Sequence, residues 1–414
     1  MSTDTTPPGP SIIHPDEFAR DYPHETWTWL RKNDPVHWWD RTEGVPFWAL
    51  TTRADIVQVS KQPTRFTNNP RWGVRHKPDG DQADELEVTL INMDPPRHGL
   101  WRKLVSKRFT PAAIERFRPE VERIGEEIVD RLFRRDNAGD CDFVKEVAAP
   151  LPIAVIAWML GWPRSDWEKL FDWTNRIVGA GDPEFRSEGK SAAETMREAQ
   201  REIVAYLTDL VAEKRRNPRD DLITLLTQAR VDGQPLETSE VLSWCFLIML
   251  GGNETTRNAT TGGIAAFADN PDQLARVRRE PELVKPAVEE VLRWTSPVIH
   301  MARTAQEPSR LRDKDVAPGD TLVMFYPSAN RDEEVFDEPF SFRVDRAPNP
   351  HLAFGVGEHF CLGAHLARLE MQVAFKHLLP RLAELELAGS PERLRANQVG
   401  GIKHLPIRYR LRSA

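Results

Sequence analysis

The stretch F354-G-V-G-E-H-F-C-L-G363 runs directly into the helical pattern A364-H-L-A-R-L-E370, and it holds one of only three cysteines in this 414-residue chain. A thiolate that binds a metal needs its charge stabilised without being protonated. Backbone N–H groups do this where no bulky side chain blocks them, and glycine permits such approach. Gly355, Gly357 and Gly363 bracket Cys361 in this way. A helix starting near Gly363 also turns its N-terminal N–H groups toward the sulfur, which favours the anion.

Three readings of Cys361 compete on these residues. Free cysteine is among the most buried residue types, so one is a small apolar core residue. The second is a zinc site, since His351, His359 and His365 lie nearby. "HFCLGAH" has no paired CxxC or HxxxH spacing, which weighs against zinc. The third is a single axial thiolate on a haem iron.

Composition narrows the setting. Hydrophobic residues are 40% and charged residues 29% of the chain, as in a water-soluble globular protein. A net charge of -7 gives no electrostatic reason to expect nucleic acid or an anionic membrane as partner. The N-terminus, "MSTDTTPPGPSIIHPDEF", has neither a basic nor an apolar leader region, and residues 1–15 are expected to be a flexible segment. "APLPIAVIAWMLGW" and "WCFLIMLGG" are shorter than the roughly 20 residues that span a bilayer. An odd number of cysteines argues against a disulfide framework and for a reducing cytoplasm. No low-complexity linker or repeat interrupts the sequence, so one large domain over 1–414 is expected.

Along the chain, "PVHWW" (35–39) and "VPFWALTT" (45–52) read as two strands of a hairpin with "DRTEG" as its turn, followed by a helix at 54–61. Residues 65–92 read as a long loop. Apolar residues at three- and four-residue spacing then predict helices near 99–108, 111–134, 151–160, 166–179, 190–215, 219–229, 238–268 and 282–295. Short strands such as "TLVMFYP" and "FRVDRAPNP" are expected in 297–350, and a last helix over 363–385. This is mostly helix with minor sheet, without the alternation of a doubly wound α/β protein.

Three upstream segments stand out. In "LIMLGGNETTRNA" (247–259), two adjacent glycines sit in an apolar helix at a cost of about 1 kcal/mol each relative to alanine. Either a helix ends there, with Asn253 or Thr255 capping the next one, or the helix opens locally against a flat cofactor. In "EEVLRW", Glu290 and Arg293 lie three apart, the spacing of an ordinary helical ion pair. In "DPPRHGLWRKLV" (94–105), His98 and Arg102 share one side of a helix starting after Pro96. That helix is either a solvated basic face or a clamp for a carboxylate, which arginine suits.

Taken together, these segments resemble the cytochrome P450 family, in its order, over roughly residues 94 to 370. F354-x-x-G357-x-H359-x-C361-x-G363 looks like the family's haem-binding signature, and "AHLARLE" continues it. The resemblance implies a mainly α fold with minor β-sheets, with haem b held between the oxygen-activation helix and the cysteine-turn helix. Cys361 would then be the axial thiolate, with Phe354, Gly357, Gly363 and Gly252 beside the porphyrin. His98, Arg102, Arg303, His359 and His351 would meet its propionates. Gly251, Gly252, Glu254 and Thr255 match the oxygen-activation segment, with Thr255 and Glu254 as proton-delivery residues. Glu290 and Arg293 match a buried structural pair. The third member departs from the family's pattern: Ser341 in "VFDEPFSF" stands where the family often has arginine, and Arg343 is two residues on.

The resemblance further implies a monooxygenase of the soluble bacterial type, monomeric, using O2 and electrons from a ferredoxin and ferredoxin reductase. Arg102, Lys103, Lys107, Arg108 and Lys376 form a candidate docking patch. By position, loop 68–92 with Ile248, Met249, Val298, Ile299, Met301, Val399 and Ile402 lines the substrate pocket, and Gly251, Gly252, Gly400 and Gly401 leave room. An apolar, fairly bulky substrate follows. "GGNETTRNA" is similar to the segment in bacterial enzymes acting on steroids, terpenoids and branched lipids. A fatty-acid hydroxylase of the same family, or a non-oxygenase haem-binding or sensing protein, are the alternatives.

Overall fold

The structure, a computed structural model, describes residues 7–40, 45–74, 89–134 and 138–412. The expected helices form at Arg97–Ser106, Pro111–Phe133, Pro150–Leu160, Trp167–Val178, Ala192–Arg216, Leu222–Gln228, Thr238–Asp269 and Val284–Thr295. Their ends follow local chemistry. Thr110 accepts a hydrogen bond from the Ala113 N–H, Ser191 and Glu194 make a reciprocal capping box, and Gly161 in a left-handed conformation stops Pro150–Leu160. No described helix is long and apolar enough to cross a membrane.

Thr238–Asp269 is the axis of the molecule. Its 32 residues extend about 48 Å. It packs against Pro150–Leu160, Val284–Thr295 and the helix Ala364–Leu378 that follows the cysteine turn. The helix neither ends nor breaks at its glycines, as both sequence readings had it. A Cβ on Gly252 would lie 2.5 Å from Ile156 Cδ1, so this glycine lets the two helices approach.

A five-stranded sheet stands beside the helices, in the order Val36–Trp39, Phe47–Leu50, Thr321–Phe325, His300–Ala305, Phe66–Thr67. The expected hairpin is present, with Val36 opposite Leu50 and Trp39 opposite Phe47; its turn residues 41–44 lie outside the described residues. A second sheet joins Leu382–Leu387, Pro406–Leu411 and Ala138–Asp142.

Several expectations need correction. The last helix stops at Leu378 rather than 385, because Pro380 has no N–H to continue it. "FRVDRAPNP" forms no strand. Helices at Pro15–Arg20, His24–Asn33 and Pro271–Arg279 were not anticipated. Residues 7–15 are not a loose tail: Ile12 and Ile13 are fully buried against Trp27 and Phe325, and the Thr26 hydroxyl donates to the Pro10 carbonyl at 2.8 Å. Residues 1–6 and 75–88, the latter being half of the expected long loop, lie outside the described residues.

Candidate active site

The cysteine turn is held from both ends. The Cys361 N–H donates to the Phe354 carbonyl at 2.9 Å, and the Phe360 N–H to the Gly357 carbonyl at 3.1 Å. Gly357 has φ +82°, and a Cβ there would lie 2.4 Å from the Ser60 carbonyl oxygen. Its role is therefore to seat the turn on the helix Arg53–Ser60. Gly363 is the N-cap of Ala364–Leu378 and faces open space.

Of the three cysteines, none of them in a disulfide, Cys245 is buried and Cys141 half-buried, whereas Cys361 is accessible. Its sulfur nonetheless has packed protein groups around it, with the Arg102 and Arg368 guanidiniums near enough to act on it. Burial pushes its thiol pKa up, while the Gly363 N–H and the Arg102 and Arg368 guanidiniums oppose that rise and favour the thiolate.

Polar groups with unused hydrogen-bonding capacity converge beside this turn. The His98 and His359 rings lie 4.1 Å apart, and the Nε2 atom of each is buried with no hydrogen-bond partner. Burial, reinforced by the charges of Arg303, His98 and Arg102, drives the His359 imidazole down to about 2. Burial also lowers His98, against its Nδ1 contact of 2.9 Å with Glu358. Arg303, on strand His300–Ala305, is buried and donates through Nη1 to the Ala302 carbonyl. Arg102 donates to the Phe360 carbonyl at 2.6 Å. Two arginines and the orphaned Nε2 of His359 at one place supply donors that carboxylates require, and the His98 Nε2 joins them when that ring is protonated. The residues present thus fit a haem with its propionates, and sequence reasoning had named all four.

His351 belongs elsewhere. Its Nε2 meets Glu289 at 3.0 Å, and its Nδ1 accepts from the Ala353 N–H at 3.2 Å. Both nitrogens are occupied, which removes it from the propionate set. Arg368 pairs with the same Glu289 at 2.7 Å and stacks 4.5 Å over the Phe354 ring. His351, Glu289 and Arg368 brace the turn instead.

On the central helix, the Thr255 hydroxyl donates to the Gly251 carbonyl at 2.8 Å. Its oxygen lone pairs remain available as acceptors. Thr255 and Gly251 share a partly accessible face with Leu247 and Leu250, and Gly251 meets open space. Ile248 and Met249, the expected linings, are buried in the main core instead, one residue and 100° around the helix. Glu254 is buried. One oxygen pairs with Arg257 and accepts from Asn258 at 3.4 Å, while Oε2 has no partner.

The other expected linings divide the same way. Val298 and Val399 form an isolated bridge, and with Met301 they are partly accessible. Ile299 and Ile402 are core residues. Gly400 and Gly401 leave no room: a Cβ would meet Ile299 and Tyr22 in one case and Asn258 in the other.

The structural pair is confirmed and completed. Glu290 and Arg293 are fully buried, joined by two hydrogen bonds of 2.8 Å. The third member is Arg346, whose Nε donates to both Glu290 oxygens at 3.2 and 3.1 Å. Arg343 gives Glu290 only its backbone N–H, and Ser341 only a carbonyl to both arginines.

A family model described as Cytochrome P450 matches residues 20–406. The chain is a cytochrome P450. The linalool 8-monooxygenase of Pseudomonas putida is 34% identical to this P450 over 96% of the chain and 98% of the relative. A methyl-branched lipid omega-hydroxylase of Mycobacterium tuberculosis is 37% identical over 95% and 92%. Among solved structures, a Mycobacterium marinum cytochrome P450 in complex with pseudoionone superposes with a TM-score of 0.88 at 33% identity, covering 97% and 99%. A Bacillus megaterium P450 in complex with testosterone gives 0.83 at 31%, covering 95% and 98%. This P450 is therefore a haem-thiolate monooxygenase with the P450 fold.

Proposed function

We propose that this P450 oxygenates an apolar, fairly bulky terpenoid or steroid-like molecule, with Cys361 as the axial thiolate. The observation that supports the assignment of Cys361 is its accessible position beside two arginines and two orphaned imidazole nitrogens. When bound, haem supplies the activation of O2, from which one oxygen atom enters the substrate and the other leaves as water. The chain's own residues do the rest. His98, Arg102, Arg303 and His359 hold the propionates, and Phe354 and Gly363 flank the ring. Thr255 offers hydroxyl lone pairs toward the site, and Glu254 is the acid behind it.

Leu247, Leu250, Val298, Met301 and Val399 give the substrate side an apolar surface. The printed activities of the relatives, on linalool, a methyl-branched lipid and steroids, agree with such a surface. A linear fatty acid is the second substrate class. A non-oxygenase haem protein has no use for a buried acid followed by a partly accessible threonine.

Electrons would come from a ferredoxin. The docking patch is smaller than its sequence suggests, because Arg102 turns inward, Arg108 pairs with Asp220 and Lys376 with Glu122. Lys103 and Lys107 remain exposed for an acidic partner.

The test is a panel of monoterpenoids, steroids and fatty acids, scored by the high-spin shift of the ferric Soret band and by oxygenated product with a ferredoxin system. A terpenoid or steroid should give both. A response confined to linear fatty acids would overturn the substrate reading.

A further inference from the structure

Glu254 sits in a buried polar network that connects two helices. Glu254, Arg257, Asn253 and Asn258 on the central helix, and Thr174 and Asn175 on Trp167–Val178, are all buried. Arg257 uses its two arms differently: Nη2 pairs with Glu254 of its own helix, and Nη1 donates to the Asn175 side-chain oxygen at 2.8 Å. A parallel link joins the same helices without touching Glu254, since the Asn253 amide donates to the Thr174 hydroxyl at 2.8 Å. The Arg257 carbonyl is also occupied, accepting from Thr261 at 2.8 Å.

Burying an ion pair is expensive unless further hydrogen bonds hold its geometry. An apolar pair would join the two helices at lower cost. The arginine is therefore best explained by what it does to the carboxylate next to Thr255.

We propose that Arg257 and Asn175 are positioning residues for Glu254: Asn175 aims the Arg257 guanidinium, which fixes the carboxylate, so that the helix Trp167–Val178 sets the acid of the proton relay. This rests on the reading of Glu254 and Thr255 given above. Trp167–Val178 is tied in turn to the next long helix, through Arg176 to Glu202 and Trp173 to Glu202 at 2.7 Å. These contacts steady the helix that carries Asn175. Without Asn175, Arg257 would lose its outer partner and Glu254 its fixed orientation.

Thr174→Val provides the control for a merely structural role, because it breaks the neighbouring link between the same helices. In the holoenzyme, Asn175→Leu should lower product formed per electron consumed about tenfold, the loss expected for one hydrogen bond to a charged group. Substrate affinity should stay within about twofold, and Thr174→Val should leave coupling within about twofold. Arg257→Lys should recover part of the coupling that Arg257→Met loses. The second readout needs no turnover. The infrared carboxyl band of Glu254, assigned by difference from Glu254→Gln in protein with labelled glutamate, should move in Arg257→Met and in Asn175→Leu but not in Thr174→Val.

Equal coupling losses in Asn175→Leu and Thr174→Val, parental coupling in Asn175→Leu, or an unmoved band in Arg257→Met would overturn the proposal. Should the protein prove not to be the oxygenase described above, product would be absent from every form, the parent included, while the infrared comparison would still decide whether Arg257 and Asn175 hold Glu254.

Discussion

A hydroxyl already donating to the Gly251 carbonyl has its hydrogen committed and its lone pairs free. In that state Thr255 can accept a hydrogen bond and help pass protons without shifting the helix. Thr255→Ala should therefore keep haem content and substrate binding, cut product per electron by about 10²-fold or less, and raise hydrogen peroxide release. Unchanged coupling in Thr255→Ala would remove it from proton delivery. At this scale the sequence was most legible where chemistry is local. Cys361, His359, Thr255 and the His98–Arg102 pair carry their meaning in residue type and spacing. The pocket was less legible, since an error of one residue turns a helical side chain by 100°. Ile248 and Met249 were read where Leu247 and Leu250 stand. Arg257 went unnoticed because its partner Asn175 is far away in sequence.

At the scale of elements, the buried triad welds the helix Val284–Thr295 to the irregular segment ahead of the cysteine turn. Arg346 also donates to the carbonyls of Asp337, Glu338 and Ser341, at 2.6, 3.1 and 2.8 Å. Arg346→Met would strand the Glu290 charge with one fewer cation, so unfolding stability should fall by about 3–5 kcal/mol in chemical denaturation. Arg343→Ala keeps its backbone N–H on Glu290 and should change stability by about 0.5 kcal/mol or less. Equal effects would refute the assignment of the third member. No sequence periodicity points to Arg346, because it lies in coil and only tertiary folding brings it to Glu290.

The strand His300–Ala305 adds a pH dependence. Burial lowers His300 to about 4, with its Nε2 accepting from the Val74 N–H at 3.2 Å. A group lowered in the folded state has its unfolded form take up protons first. Stability is therefore unaffected by His300 above its ordinary value near 6.5 and falls as pH drops from there toward 4. Between pH 7 and pH 4.5, urea unfolding of His300→Gln should lose about 2–3 kcal/mol less than the parent. An identical loss in both would show that His300 is not kept neutral.

For the whole molecule, the long amphipathic helices and the hairpin were legible because their periodicity is driven by burial. Ala138–Asp142 was not, since "AGDCD" has little strand propensity and exists as a strand through pairing with Pro406–Leu411. The docking of Ile12 and Ile13 was hidden in the same way, in a proline-rich segment that reads as loose. What these elements jointly build is a turn that sets the accessible Cys361 beside Arg102 and the orphaned ring nitrogens of His98 and His359. The central claim is that Cys361 is the haem iron's thiolate ligand. It is tested most directly by the carbon monoxide difference spectrum of the dithionite-reduced protein. The parent should show the red-shifted Soret band of a thiolate-ligated haem, and Cys361→His should move it to shorter wavelength. A parental band that survives in Cys361→His, or a parent that lacks it, would contradict the account.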